Sequence, residues 1–372
     1  MYILCHNRIK VIRLYEINDT IMIEIKQKQQ NILDLLLKYP SMSSSRVCNK
    51  LSETGEQVSL VTIKRELSRM ATTGLVNIIG KGRSRIYEIS VQGRMFSKVD
   101  ASAYCSIEPD KRYGLDRFNF ELFSSFPLEI FTSSERKTLD NATTEYYRRT
   151  ADLPPAIEKK ELERIIIELS WKSSKIEGNT YTLLDTEKLI LEHKEAPGHD
   201  KKEAIMILNH KDAFNFAREH KKEFLTLTRA NLEQLHRILV KDMSVGLGFR
   251  QKPVGVVGSK YRPLDNIHQI REAVDALTAA ITRMETPYGK ALTALVGVSY
   301  IQPFEDGNKR TARLMANALL LAHDSAPLSY RSVEEKDYRE AMLVFYELNS
   351  IAPFKSIFIG QYEFAAKNYA VK

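Results

Sequence analysis

From about residue 126 onward, apolar positions return every three or four residues, with polar positions filling the opposite side. This 3.6-residue period predicts helices near 134–149, 157–177, 183–193, 201–219, 229–242, 267–284, 288–301 and 309–323, with a last pair after Glu334. One stretch breaks the pattern. "PVGVVGSKYRPL", residues 253–264, is short, β-branched and punctuated by glycine, which predicts a hairpin projecting from a helical body. Nearer the start, helical spacing runs from Ile23 through Leu37 and stops at Pro40, and a short second helix is expected from Ser44 to Leu51. A third follows Ser59, which can cap it while Leu60, Ile63, Leu67 and Met70 form a buried stripe; that stripe turns Thr62, Arg65 and Arg69 outward together. After Gly74, "LVNIIGKGRSRIYEIS" reads as two strands around a basic turn. Residues 1–21 show neither cap nor period and are read as an extension or loose strand. Residues 97–125, with Pro109, Asp110 and Gly114, read as a linker between a unit over 22–96 and a helical region over 126–372.

Composition changes this picture in two ways. The chain of 372 residues is long enough for two or three domains, and its +8 charge is uneven: residues 22–100 carry 13 Lys and Arg against 7 Asp and Glu, which is +6 of the total. An acidic partner is therefore expected for the N-terminal unit. The order helix, helix, helix, hairpin resembles a winged helix-turn-helix. That resemblance implies that the third helix enters the major groove of duplex DNA with Thr62, Arg65 and Arg69, while Lys81, Arg83 and Arg85 on the wing meet phosphates. Such folds also serve as protein-interaction modules; the charge favours DNA. No apolar run approaches the ~20 residues of a membrane span, no cleavable signal peptide is apparent, and Cys5, Cys48 and Cys105 lack metal-ligand spacing. A cytoplasmic protein with reduced thiols and no membrane contact is expected.

The densest chemistry lies in "IQPFEDGNKRTARLMAN", residues 301–317. Pro303 and Phe304 end one helix, Asp306 offers a carboxylate, and Gly307-Asn308 permits a tight turn whose N–H groups point into one concavity. A helix then begins at about Asn308 or Lys309, adding free N–H donors and a positive dipole end, with Arg310 and Arg313 on one face. These groups suit a polyanion. Asp306 would repel it unless a hard cation such as Mg²⁺ intervened, so a nucleoside triphosphate with Mg²⁺ is expected. Other phosphate fingerprints fail: "GVVGSKY" lacks the P-loop spacing and "GLGFRQ" lacks the third glycine of a dinucleotide turn.

"QPFEDGNKRTAR" resembles the motif H-x-F-x-[DE]-G-N-[GK]-R-x-x-R of the Fic (Fido) family at every specified position but the first. The resemblance implies a mainly α, all-helical domain with a small β-hairpin flap, here preceded by the winged helix. It also implies transfer of AMP, or another phosphate-containing group, from a nucleotide such as ATP to a hydroxyl on a target protein. Under it Asp306 is the Mg²⁺ ligand, Gly307, Asn308, Lys309, Arg310 and Arg313 contact the nucleotide, Phe304 packs the core, and the flap over 253–264 holds the target segment. "SSKIEGNT", residues 173–180, resembles the family's inhibitory motif through Ser173, Glu177 and Gly178, with its helix near 157–178. The resemblance makes Glu177 a partner of Arg313 that blocks the γ-phosphate. "DLPPAIE" at 152–158 and "AIMILNHKDAF" at 204–214 resemble the usual flanks, so similarity covers most of 125–365, with the core near 201–350.

Gln302 is the departure. The family has a histidine there, which takes the proton from the attacking hydroxyl; a carboxamide has no such proton acceptor. His236, His268 and His323 are read as ordinary histidines. Two functions remain open: an autoinhibited Fic-type nucleotide-binding protein, impaired as an AMP transferase, or a non-enzymatic DNA-binding regulator whose Fic body senses a nucleotide. The residues do not fix the oligomeric state, a homodimer being one option.

Overall fold

Helical spacing produces helix wherever it persists for three turns or more. The computed structural model describes residues 25–370. The expected extension over 1–21 and the first residues of the helix expected from Ile23 lie outside the described residues.

The N-terminal unit contains α1 (Gln27–Lys38), α2 (Ser44–Glu53) and α3 (Leu60–Thr72), then β1 (Val76–Ile79) and β2 (Ile86–Ile89), paired antiparallel from Val76–Ile89 to Ile79–Ile86. Ser43 and Ser59 cap α2 and α3, accepting from the Arg46 and Thr62 amides. Ile32, Leu36, Val47, Ile63, Leu67 and Met70 close the core, while Leu60 is only half-buried. Glu66 takes a buried position on α3 instead, paired with Arg69 at 2.8 Å.

Two short helices in the connection escape the periodicity argument: α4 (Val91–Phe96), capped by Ser90, and α5 (Ala101–Cys105), capped by Asp100. With them the core of the N-terminal unit extends past residue 96. It takes in Tyr104 of α5, together with Val344 and Leu348 from a helix near the far end of the chain.

The helical region comprises α6 (Ser133–Thr150), α7 (Pro155–Ile176), α8 (Leu183–Glu192), α9 (Lys201–Glu219), α10 (Arg229–Leu239), α11 (Ile267–Arg283), α12 (Pro287–Ile301), α13 (Asn308–Ala322), α14 (Glu335–Leu348) and α15 (Ala352–Asn368). Helix α12 is apolar nearly all round and is buried along almost its whole length, so it forms the centre of the bundle with α13 beside it. The short connection between these two helices, residues 302–307, therefore opens on a rigid base.

The expected hairpin over 253–264 is corrected. These residues form an extended loop with a turn at Val257–Gly258, and its legs do not pair as strands. Their backbone is joined at the turn alone, Ser259 N to Val256 O at 3.2 Å. Pro253 has no N–H to offer, and the second leg bonds elsewhere: Arg262 N donates to Asp116 O at 2.9 Å and Tyr261 Oη to Tyr300 O at 2.9 Å.

Candidate functional site

The loop between α12 and α13 is shaped by two left-handed residues. Gln302 caps the end of α12 at φ 52°, and Gly307 starts α13 at φ 77°, a conformation that glycine adopts without strain. Asn308 closes the loop between them. Its Oδ1 accepts from Phe304 N and its Nδ2 donates to Phe304 O, both at 2.8 Å, so its carboxamide braces the loop while Asn308 also lines the cleft. No side chain caps α13. Its first N–H groups consequently open into a cleft of about 270 Å³ lined by Asp306, Gly307, Lys309 and Arg310 from the loop and by Val254–Val257 from the flap. Gln302 and Glu177 also line it.

Two residues that the motif did not single out hold this loop. His236 of α10 is fully buried, lies flat on Phe304 with ring centroids 3.6 Å apart, and donates from Nε2 to Asp306 O at 3.0 Å. Burial pushes its pKa down to about 4, partly opposed by the Asp306 carbonyl, so it is a neutral bracket and not a relocated base. Arg250 is buried as well. It donates from Nε to Gln302 O at 2.7 Å, from Nη1 to Lys252 O at 2.8 Å, and from Nη2 to Leu264 O, and its own N–H reaches Pro303 O at 2.9 Å. One guanidinium thus ties the loop to both ends of the flap. His268 is exposed, and His323 bonds Leu225 O at 3.2 Å, away from the cleft.

The "EGN" of the second motif ends α7 in a recognisable way. Gly178 at φ 98° lets its own N–H reach Lys175 O at 2.9 Å and Asn179 N reach Ser174 O at 3.1 Å, the paired bonds of a Schellman cap. This cap aims Glu177 at the cleft. Its Oε1 accepts from Arg313 Nη2 at 2.9 Å and its Oε2 from Lys309 Nζ at 3.0 Å. Burial alone would raise its carboxyl; Arg313 and then Lys309 overcome that and hold its pKa at about 2. Arg313 is fully buried and also donates from Nε to Ser173 Oγ and from Nη2 to Ser173 O, each at 2.8 Å. The Ser173 hydroxyl also lies 2.7 Å from His210 Nε2, a buried imidazole that faces the charges of Arg313 and Arg310. His210 is accordingly neutral, its pKa driven well down by burial and by Arg313 and Arg310.

The structure therefore brings Ser173, Glu177, Lys309 and Arg313 into one ion-paired chain, and Gly178 turns the backbone behind them. Arg310 is buried, pairing with Asp306 at 3.2 Å, while the Asp306 side chain is 63% exposed. Gln302 is mostly buried, and its Nε2 donates to Ser299 O at 2.6 Å. A second, more apolar cavity of about 310 Å³ adjoins across Val256, Val257, Glu177 and Lys309, with Tyr338, Met342, Leu343 and Tyr346 of α14 on its wall. The arrangement can hold a polyanion at the α13 terminus and a flat apolar group beside it.

On the N-terminal unit, Arg65, Lys81, Arg83 and Arg85 are exposed. Arg69 is exposed but paired with Glu66, and Thr62 turns into the helix cap, its Oγ1 3.0 Å from Ser59 Oγ. Val61, which the stripe argument passed over, is 77% exposed on the same helix.

Among known proteins, residues 226–320 match the Fic/DOC family model. A protein adenylyltransferase Fic of Nematostella vectensis is 27% identical over 188 residues, 49% of this chain and 44% of that protein. Protein adenylyltransferase fic-1 of Caenorhabditis elegans is 25% identical over 184 residues, 48% of this chain and 36% of that one. The matches thus span less than half the length of these relatives. Among solved structures, Fic-1 of C. elegans superposes with a TM-score of 0.56 at 18% identity, covering 64% of this chain and 72% of that one. A Fic family protein of Desulfovibrio desulfuricans G20 superposes with 0.54 at 20% identity, covering 65% and 75%. The motif loop lies inside the stretch that matches the Fic/DOC family model, and the helical body shares the fold of solved Fic proteins.

Proposed function

We propose that the cleft is an autoinhibited nucleotide site, related to AMP transferases, that binds ATP with Mg²⁺ and has lost the general base of transfer. One observation carries this reading: a complete polyanion cradle surrounds a position where a carboxamide replaces the imidazole. The phosphates fit the open terminus of α13 and the two buried arginines. The base fits the apolar cavity against Tyr338, Met342 and Tyr346. Asp306 presents an exposed carboxylate at the cleft, and no cluster of three or more metal-ligating side chains exists among the described residues. A Mg²⁺ held by Asp306 would then take its other ligands from phosphate and water, as this ion prefers, and would offset phosphate charge. Glu177 competes with the phosphates for Arg313 and Lys309, which supports inhibition built into the chain. Gln302 can orient a hydroxyl but not take its proton, so a general-base factor of roughly 10² to 10⁴ is missing. The free first leg of the flap, Val254–Val257, suits an extended segment of a target protein.

The test is labelled ATP with Mg²⁺ on the full chain. Gln302→His with Glu177→Gly is expected to label itself with AMP, and Glu177→Gly alone roughly 10² to 10⁴ times more slowly, a gap of about 3 to 5 kcal/mol. Histidine is well tolerated in the left-handed backbone of position 302, so the change asks little of the fold. Strong labelling by the wild type would overturn the loss of the base. Silence from the double variant with ATP binding intact would favour the second reading.

That second reading is a non-enzymatic regulator in which the N-terminal unit binds duplex DNA as a winged helix. It is favoured by the exposed Val61 and Arg65 on α3 beside a wing bearing Lys81, Arg83 and Arg85.

A further inference from the structure

The second leg of the flap is fastened to the connection between the two parts of the chain. Arg112, in that connection, is buried and donates from Nη1 to Gly258 O at 2.9 Å, from Nη2 to Cys105 O at 2.9 Å and from Nε to Ile107 O at 2.8 Å. Lys260 returns the contact, its Nζ reaching Arg112 O at 2.6 Å. Both meet at Glu347 of α14, whose side chain is fully buried. Glu347 Oε1 accepts from Ser259 Oγ at 2.7 Å, from Lys260 N at 3.3 Å and from Arg112 Nη1 at 3.3 Å, and its Oε2 lies 2.7 Å from the Tyr104 hydroxyl. Tyr104 belongs to α5 and to the core of the N-terminal unit, as do the flanking residues Val344 and Leu348 of α14. The same helix carries Tyr338, Met342 and Tyr346 on the wall of the apolar cavity.

We infer that the flap and α14 link the cleft to the N-terminal unit through Arg112 and Glu347, so that a nucleotide in the cleft changes that unit and a ligand on that unit changes nucleotide affinity. The inference rests on the nucleotide reading of the cleft. Its physical basis is a shared element. The first leg of the flap covers the cleft and has no ladder to hold it, whereas the second leg hangs from residues 104–112, so a group seated under Val254–Val257 moves or steadies a loop whose other anchor is the N-terminal unit. Linkage of this kind is reciprocal and commonly amounts to between about 5-fold and 150-fold in affinity. Arg112, Ser259 and Glu347 are positioning residues in this scheme.

The experiment uses the full chain in a Glu177→Gly background, with calorimetry of ATP and Mg²⁺ and amide hydrogen exchange over residues 27–72 and 101–113. ATP is expected to slow exchange in both segments by about fivefold or more. Ser259→Ala and Arg112→Lys should each reduce that response while ATP still binds. A loss of stability in a variant would speed its exchange with and without ATP alike, so the ATP-induced ratio within each variant is the readout. If ATP binds and both segments exchange as before, the linkage is overturned while the nucleotide site stands. An undiminished response in both variants would overturn the route through Arg112 and Glu347. Absence of ATP binding would bring down the nucleotide reading and this inference together.

Discussion

At the residue scale, the site is governed by protonation states that its neighbours impose. His236 is held neutral between Phe304 and the Asp306 carbonyl, with a pKa of about 4 against an ordinary 6.5. A histidine depressed in the folded state stabilises the fold fully above its unfolded pKa, and that stability is lost as pH falls from about 6.5 through about 4. The shift amounts to roughly 3 kcal/mol. Thermal melts of the wild type are therefore expected to fall steeply in that window, and His236→Gln should show a shallower slope with a lower Tm at pH 7; identical slopes would contradict the assigned role. The motif itself was legible because its residues are contiguous. The bracket of His236, the clip of Arg250 and the grip of Lys309 on Glu177 were not, since each partner lies 50 or more residues away in sequence and only packing brings them together.

At the scale of elements, the long helices of the body were readable to within a few residues because each buries one stripe against α12 or its neighbours. Helices α4 and α5 have only 6 and 5 residues, too short to display a period. The flap misled for a different reason: β-branched residues around glycine signal a hairpin, but here the hydrogen bonds that define the loop go to Arg250, Arg112 and Glu347 instead of across it. A consequence can be measured. Arg250→Met leaves the carbonyls of Gln302 and Leu264 buried without a donor, so a loss of about 3 kcal/mol in chemical denaturation is expected, together with weaker ATP binding from a loosened cleft. Stability lost with ATP affinity unchanged would show that Arg250 supports the fold but not the flap.

At the scale of the molecule, basic charge is gathered in the N-terminal part of the sequence, and α14 gives Val344 and Leu348 to the core of that unit while Tyr338, Met342 and Tyr346 wall the apolar cavity. On the second reading proposed above, the chain of residues 1–372 is expected to bind duplex DNA with a steep salt dependence. About three phosphate contacts from Lys81, Arg83 and Arg85 on the wing would give a slope near −3 in log K against log salt. Lys81→Ala should weaken all sequences alike and reduce the slope by about 1, whereas Arg65→Ala should lower discrimination between sequences; filter binding at several salt concentrations measures both. No retention at low salt would make the N-terminal unit a protein-interaction module. The full chain is the right material, because Tyr104, Val344 and Leu348 complete the core of that unit.

The left-handed turn at Gln302 also has a consequence for heredity. Glutamine and histidine codons share their first two bases, and the backbone there accepts either side chain, so a third-base change alone would return an imidazole to the cradle. If the proposed autoinhibition holds, Glu177, clamped by Arg313 and Lys309, would still compete with phosphates for those two side chains. A lineage carrying this gene could therefore acquire and lose the imidazole with little selection on either event, and the glutamate, not the glutamine, would be the position under guard.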